Sequence, residues 1–334
     1  MKQYRITGTS VDAVRRFPTT QPDPGPGEML VRMRAFSLNY RDLMLAEGRY
    51  GAPTPPDLVP FSDGAGEVVA VGAGVRRFKP GDRVASCFFA DWDDGELSQA
   101  GANSARGGAI DGVASEYALL GERGAVHVPA GYGFDEAATL PCAALTAWNA
   151  LVPFGRIAAG STVLVQGTGG VSVFALQFAR GMGARVICTS SSDAKLERAA
   201  ALGADATINY ASTPDWQDEV RRLTGRAGVD LVVEVGGAGT LGRSMQAARA
   251  GGRIAVIGVL TGRADVDPSA ILFRRLCLQG LLVGSRRMFE AMNQAIGMLS
   301  LRPVIDRRFG FDEVPAALHH LKGGGHFGKV VITT

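Results

Sequence analysis

The sequence predicts an α/β protein with a doubly wound parallel sheet, and three observations support this. Between residues 162 and 259, apolar runs typical of buried strands alternate with helical segments. A glycine-rich stretch lies where the first of these strands passes into its helix. The chain has 334 residues, a length that suggests about two domains. Regular strand–helix alternation is typical of parallel sheets that bind ligands at the carboxyl ends of their strands.

The glycine-rich stretch, residues 162–172, reads TVLVQGTGGVS. Its order of strand, glycine turn and helix predicts a dinucleotide-binding turn, because a helix N-terminus attracts a pyrophosphate and glycine lets the backbone approach it. Ser172 stands where a third glycine is usual, and a plain glycine turn is the alternative. The residues predicted to contact the pyrophosphate are Gly167, Thr168, Gly169, Gly170 and Val171.

The remaining strands and helices are predicted from the periodicity of apolar residues and from the Gly and Pro residues that mark turns between them. The predicted strands are 2–8, 28–35, 64–72, 82–88, 162–166, 185–189, 206–209, 230–235, 252–259, 277–284, 305–309 and 329–333. The predicted helices are 39–45, 135–151, 171–179, 194–202, 216–224, 241–250, 288–299 and 313–322.

The short strands before residue 125 are separated by Gly/Pro turns, which predicts a small barrel or sandwich. Residues 91–112 are polar and glycine-rich, and we expect a surface loop there. The last fifty residues or so break the alternation, and the final strand is expected to return to the first domain. The predicted domains are therefore 1–125 with 286–334, and 126–285.

Composition excludes several classes of function. The net charge is +3 and no run of Lys or Arg exceeds two residues, which argues against nucleic acid as a partner. No apolar run reaches the ~18 residues of a membrane span, and the N-terminus lacks a signal-peptide core, so we expect a cytoplasmic protein. The four cysteines are far apart and predict no disulfide framework. Cys188 and Cys277 lie in apolar runs and are expected to be buried.

The end of the second strand in the alternating region is where such proteins bind the adenosine ribose, about 20 residues after the glycine turn. An Asp or Glu there would select NAD, but this chain has Ser190. Together with Ser191 and Lys195, it offers hydroxyl donors and a positive charge to a 2′-phosphate, so NADP(H) is the predicted cofactor. The alternative is that residues 191–193 only cap the next helix.

Five segments in the right order resemble the medium-chain dehydrogenase/reductase superfamily over the whole chain. They are residues 64–72 (GAGEVVAVG), 79–84 (KPGDRV), 135–146 (DEAATLPCAALT), 167–183 and 326–332 (HFGKVVI). The resemblance implies a GroES-like, β-rich catalytic domain and a Rossmann domain with a cleft between them. It also implies a homodimer formed by pairing of strand 277–284 across a two-fold axis.

The superfamily includes zinc enzymes with a Cys, a His and a Cys as ligands. The resemblance places Asn39, Ser62 and Cys142 at those positions. One soft ligand does not hold zinc, which needs three or four donors. Residues 91–112 also contain no Cys, whereas the family's structural zinc lobe has four. We therefore predict no metal.

The pattern resembles the zinc-independent branch of quinone oxidoreductases and enone or enoyl-thioester reductases. Without a Lewis acid, a conjugated carbonyl is the easier hydride acceptor, because its charge spreads as an enolate that a hydrogen-bond donor stabilises. The candidate donors are Tyr50, Tyr40 and Asn39. Tyr50 matches a tyrosine of enoyl-thioester reductases; the alternative is a loop tyrosine that covers the cleft.

Arg41 belongs to a block that resembles the family element beside the nicotinamide, so we include it among the cofactor-binding residues. Arg41 has two alternative roles: it could orient an acidic substrate, or it could pair with Asp42 or Asp63. Other residues are assigned to the cofactor from strand ends and from the resemblance. They are Thr146, Asn209, Tyr210, Val235, Gly236, Gly258, Val259, Val283, Gly284, Ser285, Phe327 and Lys329.

The predicted function is transfer of hydride from NADPH to a quinone or an α,β-unsaturated carbonyl compound. Two alternatives stay open: an alcohol dehydrogenase or aldehyde reductase of the same superfamily, and a non-catalytic NADPH-binding protein.

Overall fold

The computed structural model describes residues 1–51, 54–258, 262 and 265–334. The predicted cofactor residue Val259 lies outside these described residues. The chain folds into two compact units. The first unit comprises Met1–Leu145 and Val283–Thr334, and the second unit comprises Thr146–Leu282.

The strands and helices are numbered here in chain order. The strands are β1 Lys2–Ile6, β2 Val14–Pro18, β3 Glu28–Ser37, β4 Asp63–Val71, β5 Arg83–Ser86, β6 Tyr117–Gly121, β7 Ala125–His127, β8 Thr162–Gln166, β9 Arg185–Ser190, β10 Ala206–Asn209, β11 Val229–Glu234, β12 Ala248–Val256, β13 Cys277–Gly280, β14 Ile305–Gly310 and β15 Lys329–Thr333. The α-helices are α1 Tyr40–Ala46, α2 Gln99–Ala102, α3 Phe134–Ala137, α4 Leu145–Asn149, α5 Gly170–Gly181, α6 Asp193–Ala201, α7 Trp216–Leu223, α8 Ala238–Ala247, α9 Pro268–Arg274, α10 Arg286–Leu299 and α11 Val314–Lys322.

The second unit is a parallel sheet in the order β10-β9-β8-β11-β12-β13, with helices between successive strands. This confirms the predicted doubly wound sheet. Its central strands are apolar and buried because helices cover both faces of such a sheet. The strand order reverses between β8 and β11. A ligand is therefore expected at their carboxyl ends, where the glycine turn follows β8.

Four details of the second unit differ from the sequence-based expectation. The strand predicted at 277–284 ends at Gly280. Ala248–Val256 is one strand, so residues 248–250 belong to β12 and not to the predicted helix 241–250. Helix Pro268–Arg274 was not expected. Cys277 is exposed, contrary to prediction, because β13 forms the edge of the sheet, whereas Cys188 in the interior strand β9 is buried as predicted.

The first unit contains a sheet in the order β14-β15-β3-β4-β5-β7, with β6 also pairing with β3. The terminal strand β15 pairs with β3 in antiparallel and with β14 in parallel. The C-terminus therefore returns to the first unit, as the sequence predicts. Phe36, Phe61 and Leu43 lie in the core between this sheet and its helices.

Two segments of the first part of the chain are less regular than expected. The run predicted as one helix, 135–151, is interrupted, because residues Leu140–Ala144 wind as a wider π turn after α3. Residues 91–112 are not simply a surface loop: they contain α2 and bury Arg106. Within the described ranges, no helix has both the length and the apolar character needed to cross a membrane.

Candidate cofactor site and candidate active site

The glycine turn of the second unit, residues 167–170, joins β8 to α5. Gly167 has φ +69°, a conformation that favours glycine. Gly169 is the N-cap residue of α5. A Cβ at Gly167 or Gly169 would have no neighbouring heavy atom within 4 Å, so the turn has open space on that side. Since the first N–H groups of a helix have no intrahelical partner, the turn fits a pyrophosphate.

Ser172 lies in the first turn of α5 and is buried. Its hydroxyl donates a hydrogen bond of 2.6 Å to the carbonyl oxygen of Gln166, the last residue of β8. This hydrogen bond therefore links the first turn of α5 to the end of β8. The Ser172 side chain points into the protein and does not occupy the space beside the glycine turn.

The residues predicted to read the adenosine ribose lie together at one end of the sheet. Ser190 ends β9, is buried, and accepts a hydrogen bond of 3.3 Å from the backbone N–H of Ser192. Ser192 caps α6 by accepting from the N–H of Lys195 at 3.4 Å, so this serine run does cap the helix. Asn209 of β10 is in register with Ser190. The helix cap Ser192, Lys195 of α6 and Asn209 at the end of β10 therefore lie close to Ser190.

Ser191 and Tyr210 are exposed at this end of the sheet. The N–H of Tyr210 donates to the carbonyl oxygen of Ser190 at 3.0 Å. Asn209 donates from Nδ2 to Asp193 Oδ1 at 2.7 Å, which places a carboxylate at the start of α6.

The other predicted cofactor residues divide between the two units. Val235 and Gly236 follow β11, and a side chain at Gly258 would overlap the backbone of Val235, so only glycine fits there. Thr146 is buried in the second unit. The first unit contains Val283, Gly284 and Ser285, and Ser285 caps α10 by accepting from the N–H of Met288 at 3.2 Å.

The first unit holds a buried charged cluster composed of Asn39, Arg41, Asp42, Asp63 and Lys329. Three separate chain segments supply it. Asn39 caps α1, and its N–H donates to Asp42 Oδ2 at 2.7 Å. Asp63 begins β4 and Lys329 begins β15, two strands that flank β3. The sheet therefore brings together side chains that are almost 300 positions apart in the chain.

Lys329 is only 3% exposed. Its Nζ donates to Asn39 Oδ1 at 2.6 Å and to the carbonyl oxygen of Leu38 at 2.7 Å. Asp63 is fully buried, and burial raises the pKa of its carboxyl group, while the Lys329 charge and hydrogen bonds from Ser62 and Asn39 oppose that rise. Phe327 nearby in the chain is also buried, with its N–H donating to Asp306 Oδ1 at 3.0 Å.

Asp42 is 2% exposed, and burial raises its pKa to about 6. The charge of Arg41 and the backbone hydrogen bond from Asn39 limit that rise, and the neighbouring Asp63 adds to it. Two carboxyl groups with raised pKa values therefore lie in one buried cluster. Each holds a proton more tightly than an exposed aspartate does.

Arg41 is buried, and its guanidinium lies against aromatic rings. Its carbon Cζ is 5.2 Å from the ring centroid of Tyr50 and 4.5 Å from that of Phe88. Nη1 donates to the carbonyl oxygen of Arg106 at 2.8 Å and lies 3.9 Å from Asp42 Oδ1. Pairing with Asp42, one of the alternatives raised by the sequence, is thus present in this structure.

The two tyrosines proposed as hydrogen-bond donors differ in their surroundings. Tyr50 stacks on Arg41 and keeps about a third of its surface exposed. Tyr40 is the first residue of α1 and is exposed. Of the two, Tyr50 has its ring orientation defined by a buried partner.

The residues at the three family metal positions do not fit a zinc ion. Asn39 Oδ1 already accepts from the Lys329 ammonium, and Ser62 donates from Oγ to Asp63 Oδ1 at 2.7 Å. Burial and the nearby Asp63 raise the pKa of the Cys142 thiol, which disfavours the thiolate that metal binding needs. Among the described residues, no three His, Cys, Asp or Glu side chains are grouped so that they could hold a metal ion.

Sequence reasoning missed the structural role of Asp42, Asp63 and Lys329 as one cluster. Asp42 and Asp63 entered only as alternative partners of Arg41, and Lys329 only as a cofactor residue. The available signal was weak: an aspartate three residues after a capping Asn, and a lysine before an apolar terminal strand. Gln166 and Glu234 were predicted only as residues of the strands 162–166 and 230–235.

Two family models match the chain. The model described as an alcohol dehydrogenase GroES-like domain matches residues 25–130, and the model described as a zinc-binding dehydrogenase matches residues 170–298. A zinc-type alcohol dehydrogenase-like protein of Schizosaccharomyces pombe is 43% identical over 92% of this chain and 91% of its own length. The human quinone oxidoreductase is 25% identical over 93% of this chain and 90% of its own length.

Solved structures with the same fold cover the full chain. A putative alcohol dehydrogenase from Sinorhizobium meliloti is 44% identical, with a TM-score of 0.93, over 100% of this chain and 98% of the other. An NAD-dependent alcohol dehydrogenase is 33% identical, with a TM-score of 0.91 and full coverage of both chains. A mycobacterial protein solved with NADPH is 26% identical, with a TM-score of 0.84 and full coverage of both chains.

Proposed function

Because the chain belongs to the medium-chain dehydrogenase/reductase superfamily, and is thus an oxidoreductase that uses NAD(H) or NADP(H), we propose that it reduces a quinone or an α,β-unsaturated carbonyl compound with NADPH and without a metal. The charged cluster of the first unit is the observation that carries this proposal. The amide of Asn39 in this cluster stands at one of the family's metal positions and accepts a hydrogen bond from the Lys329 ammonium. The other two positions hold the Ser62 hydroxyl and the Cys142 thiol, whose pKa is raised.

A site of this composition favours an acceptor that needs little Lewis-acid help. A metal contributes several kcal/mol of charge stabilisation when hydride adds to a simple carbonyl. A conjugated carbonyl or quinone spreads that charge, so a hydrogen-bond donor at the oxygen suffices. Tyr50 is the donor we propose, because Arg41 stacks on its ring and fixes its orientation. NADPH, bound at the glycine turn, would supply the hydride.

The proposed preference for NADPH rests on the end of β9. Ser190 stands where a carboxylate would select NAD, and Ser191 and Lys195 offer donors to a 2′-phosphate. Related structures include both an NADPH complex and an NAD-dependent enzyme. Asp193, at the start of α6, is the feature that opposes a 2′-phosphate, and its bond to Asn209 directs that carboxylate toward β10.

The deciding experiment is a substrate panel with the purified, metal-analysed protein. Matched enones, quinones, saturated ketones and alcohols are compared by the absorbance of NADPH or NADH. We expect turnover of the conjugated compounds with NADPH, and a drop of about tenfold or more in kcat for Tyr50→Phe, which keeps the stacked ring but removes the donor. Tyr40→Phe is the matched control and should stay within about twofold. Activity that requires stoichiometric zinc would refute the proposal.

An alcohol dehydrogenase or aldehyde reductase is the second candidate, since the names of two of the most similar proteins point to it. The same panel separates it, because alcohols or simple aldehydes would then exceed enones in kcat/KM. Tight NADPH binding with no turnover of any electrophile would instead favour a non-catalytic binding protein.

We also propose a homodimer through the edge of the second unit's sheet. β13 has no neighbour on its outer side within the described chain, and Leu272, Phe273 and Leu282 expose large apolar side chains around it. Edge strands with apolar neighbours are favourable surfaces for pairing. Light scattering of the wild type and of Gly280→Pro tests the proposal. Leu281 donates inward to Val256 of β12 and successive residues face opposite sides, so the N–H of Gly280 lies on the outer side of β13; without it the variant should be a monomer.

A further inference from the structure

The second unit contains a fully buried carboxylate for which the proposed reaction has no role. Glu234 is the last residue of β11 and has no exposed surface. Its Oε1 accepts from the N–H groups of Gly236 at 2.8 Å and Gly237 at 2.9 Å, and from the hydroxyl of Thr240 at 2.5 Å. One carboxylate oxygen therefore organises the whole turn between β11 and α8. We call this turn, residues 235–238, the second glycine turn.

The other carboxylate oxygen faces the end of β8. Glu234 Oε2 accepts from Gln166 Nε2 at 2.9 Å and from the hydroxyl of Ser244. Gln166 Nε2 also donates to Ser244 Oγ at 2.6 Å, so the three side chains form a closed ring. Gln166 immediately precedes the first glycine turn, and its carbonyl oxygen accepts from Ser172 in α5. The two glycine turns are thus joined through buried side chains.

The carboxylate sets the orientation of the amide in this ring. Glu234 offers only acceptors and Ser244 already donates to it, so Gln166 must present its NH₂ group. Its Oε1 is left without a hydrogen-bond partner among the described residues. A buried acceptor without a partner is unfavourable, so the orientation of the Gln166 amide lowers the free energy of unfolding. Residues retained in this way commonly serve a functional site.

We propose that Gln166 and Glu234 are positioning residues of the cofactor site, which hold both glycine turns in their binding conformation before the dinucleotide arrives. This inference rests on the proposed use of a nicotinamide dinucleotide. The first turn holds Gly167 at φ +69° and the second holds Gly237 at φ +89°, and a chain with several accessible glycine conformations needs such restraint. Restraint before binding lowers the entropy lost on binding.

The test compares variants that break the ring without adding bulk. Gln166→Met removes the donor at nearly constant volume, and Ser244→Ala is a milder change in case Gln166→Met folds poorly. The matched control is Gln99→Met in α2, whose amide bonds Asn103 on the surface at 3.1 Å. Affinities are measured by fluorescence for NADPH, and by competition for adenosine 2′,5′-bisphosphate, which has neither the pyrophosphate bridge nor the nicotinamide. Thermal unfolding without ligand is recorded alongside.

We expect Gln166→Met to raise the Kd for NADPH about tenfold and Ser244→Ala to raise it about threefold, and the Kd for adenosine 2′,5′-bisphosphate should rise by a clearly smaller factor in each variant. The bisphosphate keeps the 2′-phosphate at the end of β9 but only one of the two phosphates at the glycine turn, so it should depend less on the ring than NADPH does. The KM for NADPH should rise accordingly, while kcat at saturating NADPH stays within about twofold. Gln99→Met should match the wild type in both affinities.

Two results would overturn the inference. One is an unchanged Kd for NADPH in both folded variants. The other is an equal loss of affinity for NADPH and for the bisphosphate, which would mean that the domain is loosened as a whole. A wild-type protein that binds neither NADPH nor NADH would overturn the proposed function itself, and that result is distinct because it appears before any substitution is made.

Discussion

The glycine turn of the second unit and the charged cluster of the first unit are built in opposite ways. The turn lies within four consecutive residues, 167–170, and presents backbone groups. The cluster uses side chains from α1, β4 and β15, which are far apart in the chain. The turn is therefore formed by residues that are adjacent in the chain. The cluster exists only when the sheet of the first unit is complete.

The two regions also differ in what a substitution should disturb. Buried charges are costly unless they are paired, so a change in the cluster leaves an uncompensated group and lowers stability. The turn has open space around Gly167 and Gly169, so a change there should leave the fold intact and reduce ligand binding. Three experiments test this contrast, and a fourth tests which dinucleotide the second unit selects.

The largest effect is expected for Lys329→Met. It leaves Asp63 buried without the ammonium that opposes its protonation, and should lower the free energy of unfolding by about 3–5 kcal/mol at pH 7. Urea denaturation measures this. Lys322→Met is the matched control, because the Lys322–Glu47 pair lies on the surface and should matter by at most about 0.5 kcal/mol. Adding Asp63→Asn to Lys329→Met should recover most of the loss; no recovery would mean that charge pairing is not its cause.

The second effect is a pH dependence that comes from Asp42. Its folded-state pKa, about 6, lies above the ordinary value of 3.8, so the folded protein binds this proton more tightly than the unfolded chain does. Stability from this group is therefore present at low pH and is lost as the pH rises from about 4 to about 6. Asp42→Asn stays neutral and should gain up to about 3 kcal/mol relative to the wild type across that window.

The control for this pH profile has the opposite sign. Backbone N–H groups of Arg76 and Arg77 donate to Glu122 and lower its pKa. Glu122→Gln should therefore lose stability near neutral pH and approach the wild type as the pH falls through the pKa of Glu122. Parallel profiles for Asp42→Asn and Glu122→Gln would contradict the assignment of a raised pKa to Asp42.

The third effect concerns the glycine turn and falls on activity. Gly167→Val places a β-branched residue at φ +69° and puts a side chain into the space beside the turn. We expect kcat/KM for the dinucleotide to fall about 100-fold, equivalent to about 2.7 kcal/mol, with a much smaller loss in unfolding free energy. Gly297→Ala in α10, where no atom lies within 4 Å, should leave kcat/KM unchanged. A cooperative collapse of stability in Gly167→Val would remove the contrast between the two regions.

The smallest effect sharpens the choice of cofactor. Lys195→Ala should raise the KM for NADPH about tenfold and leave the KM for NADH within about twofold, because only NADPH carries the 2′-phosphate. Steady-state kinetics with each dinucleotide measure this. Equal changes for both cofactors, or a wild-type preference for NADH, would mean that the serines at the end of β9 do not select NADP(H).

The sequence predicted well those features that depend on neighbouring residues. The β8 strand, the glycine turn and α5 appear as expected, because strand periodicity and glycine freedom are local properties. Predictions that depended on sheet position were less successful. Cys277 lies in an apolar run yet is exposed, because β13 is an edge strand. No local sequence pattern distinguishes an edge strand from a central one. Residues 248–250 begin β12, where Ala248 pairs with Val229 of β11, although their composition suits a helix.

What the sequence determined by itself is the dinucleotide-binding framework and the absence of the usual zinc-ligand residue types at Asn39 and Ser62. Only the tertiary structure decided what takes their place: a buried ammonium at Lys329 between an amide and two carboxyl groups. It also decided that Gln166 and Glu234 join the two glycine turns. The physical reason is that a pKa and a side-chain hydrogen bond depend on burial and distance, which are set by chain segments remote in sequence.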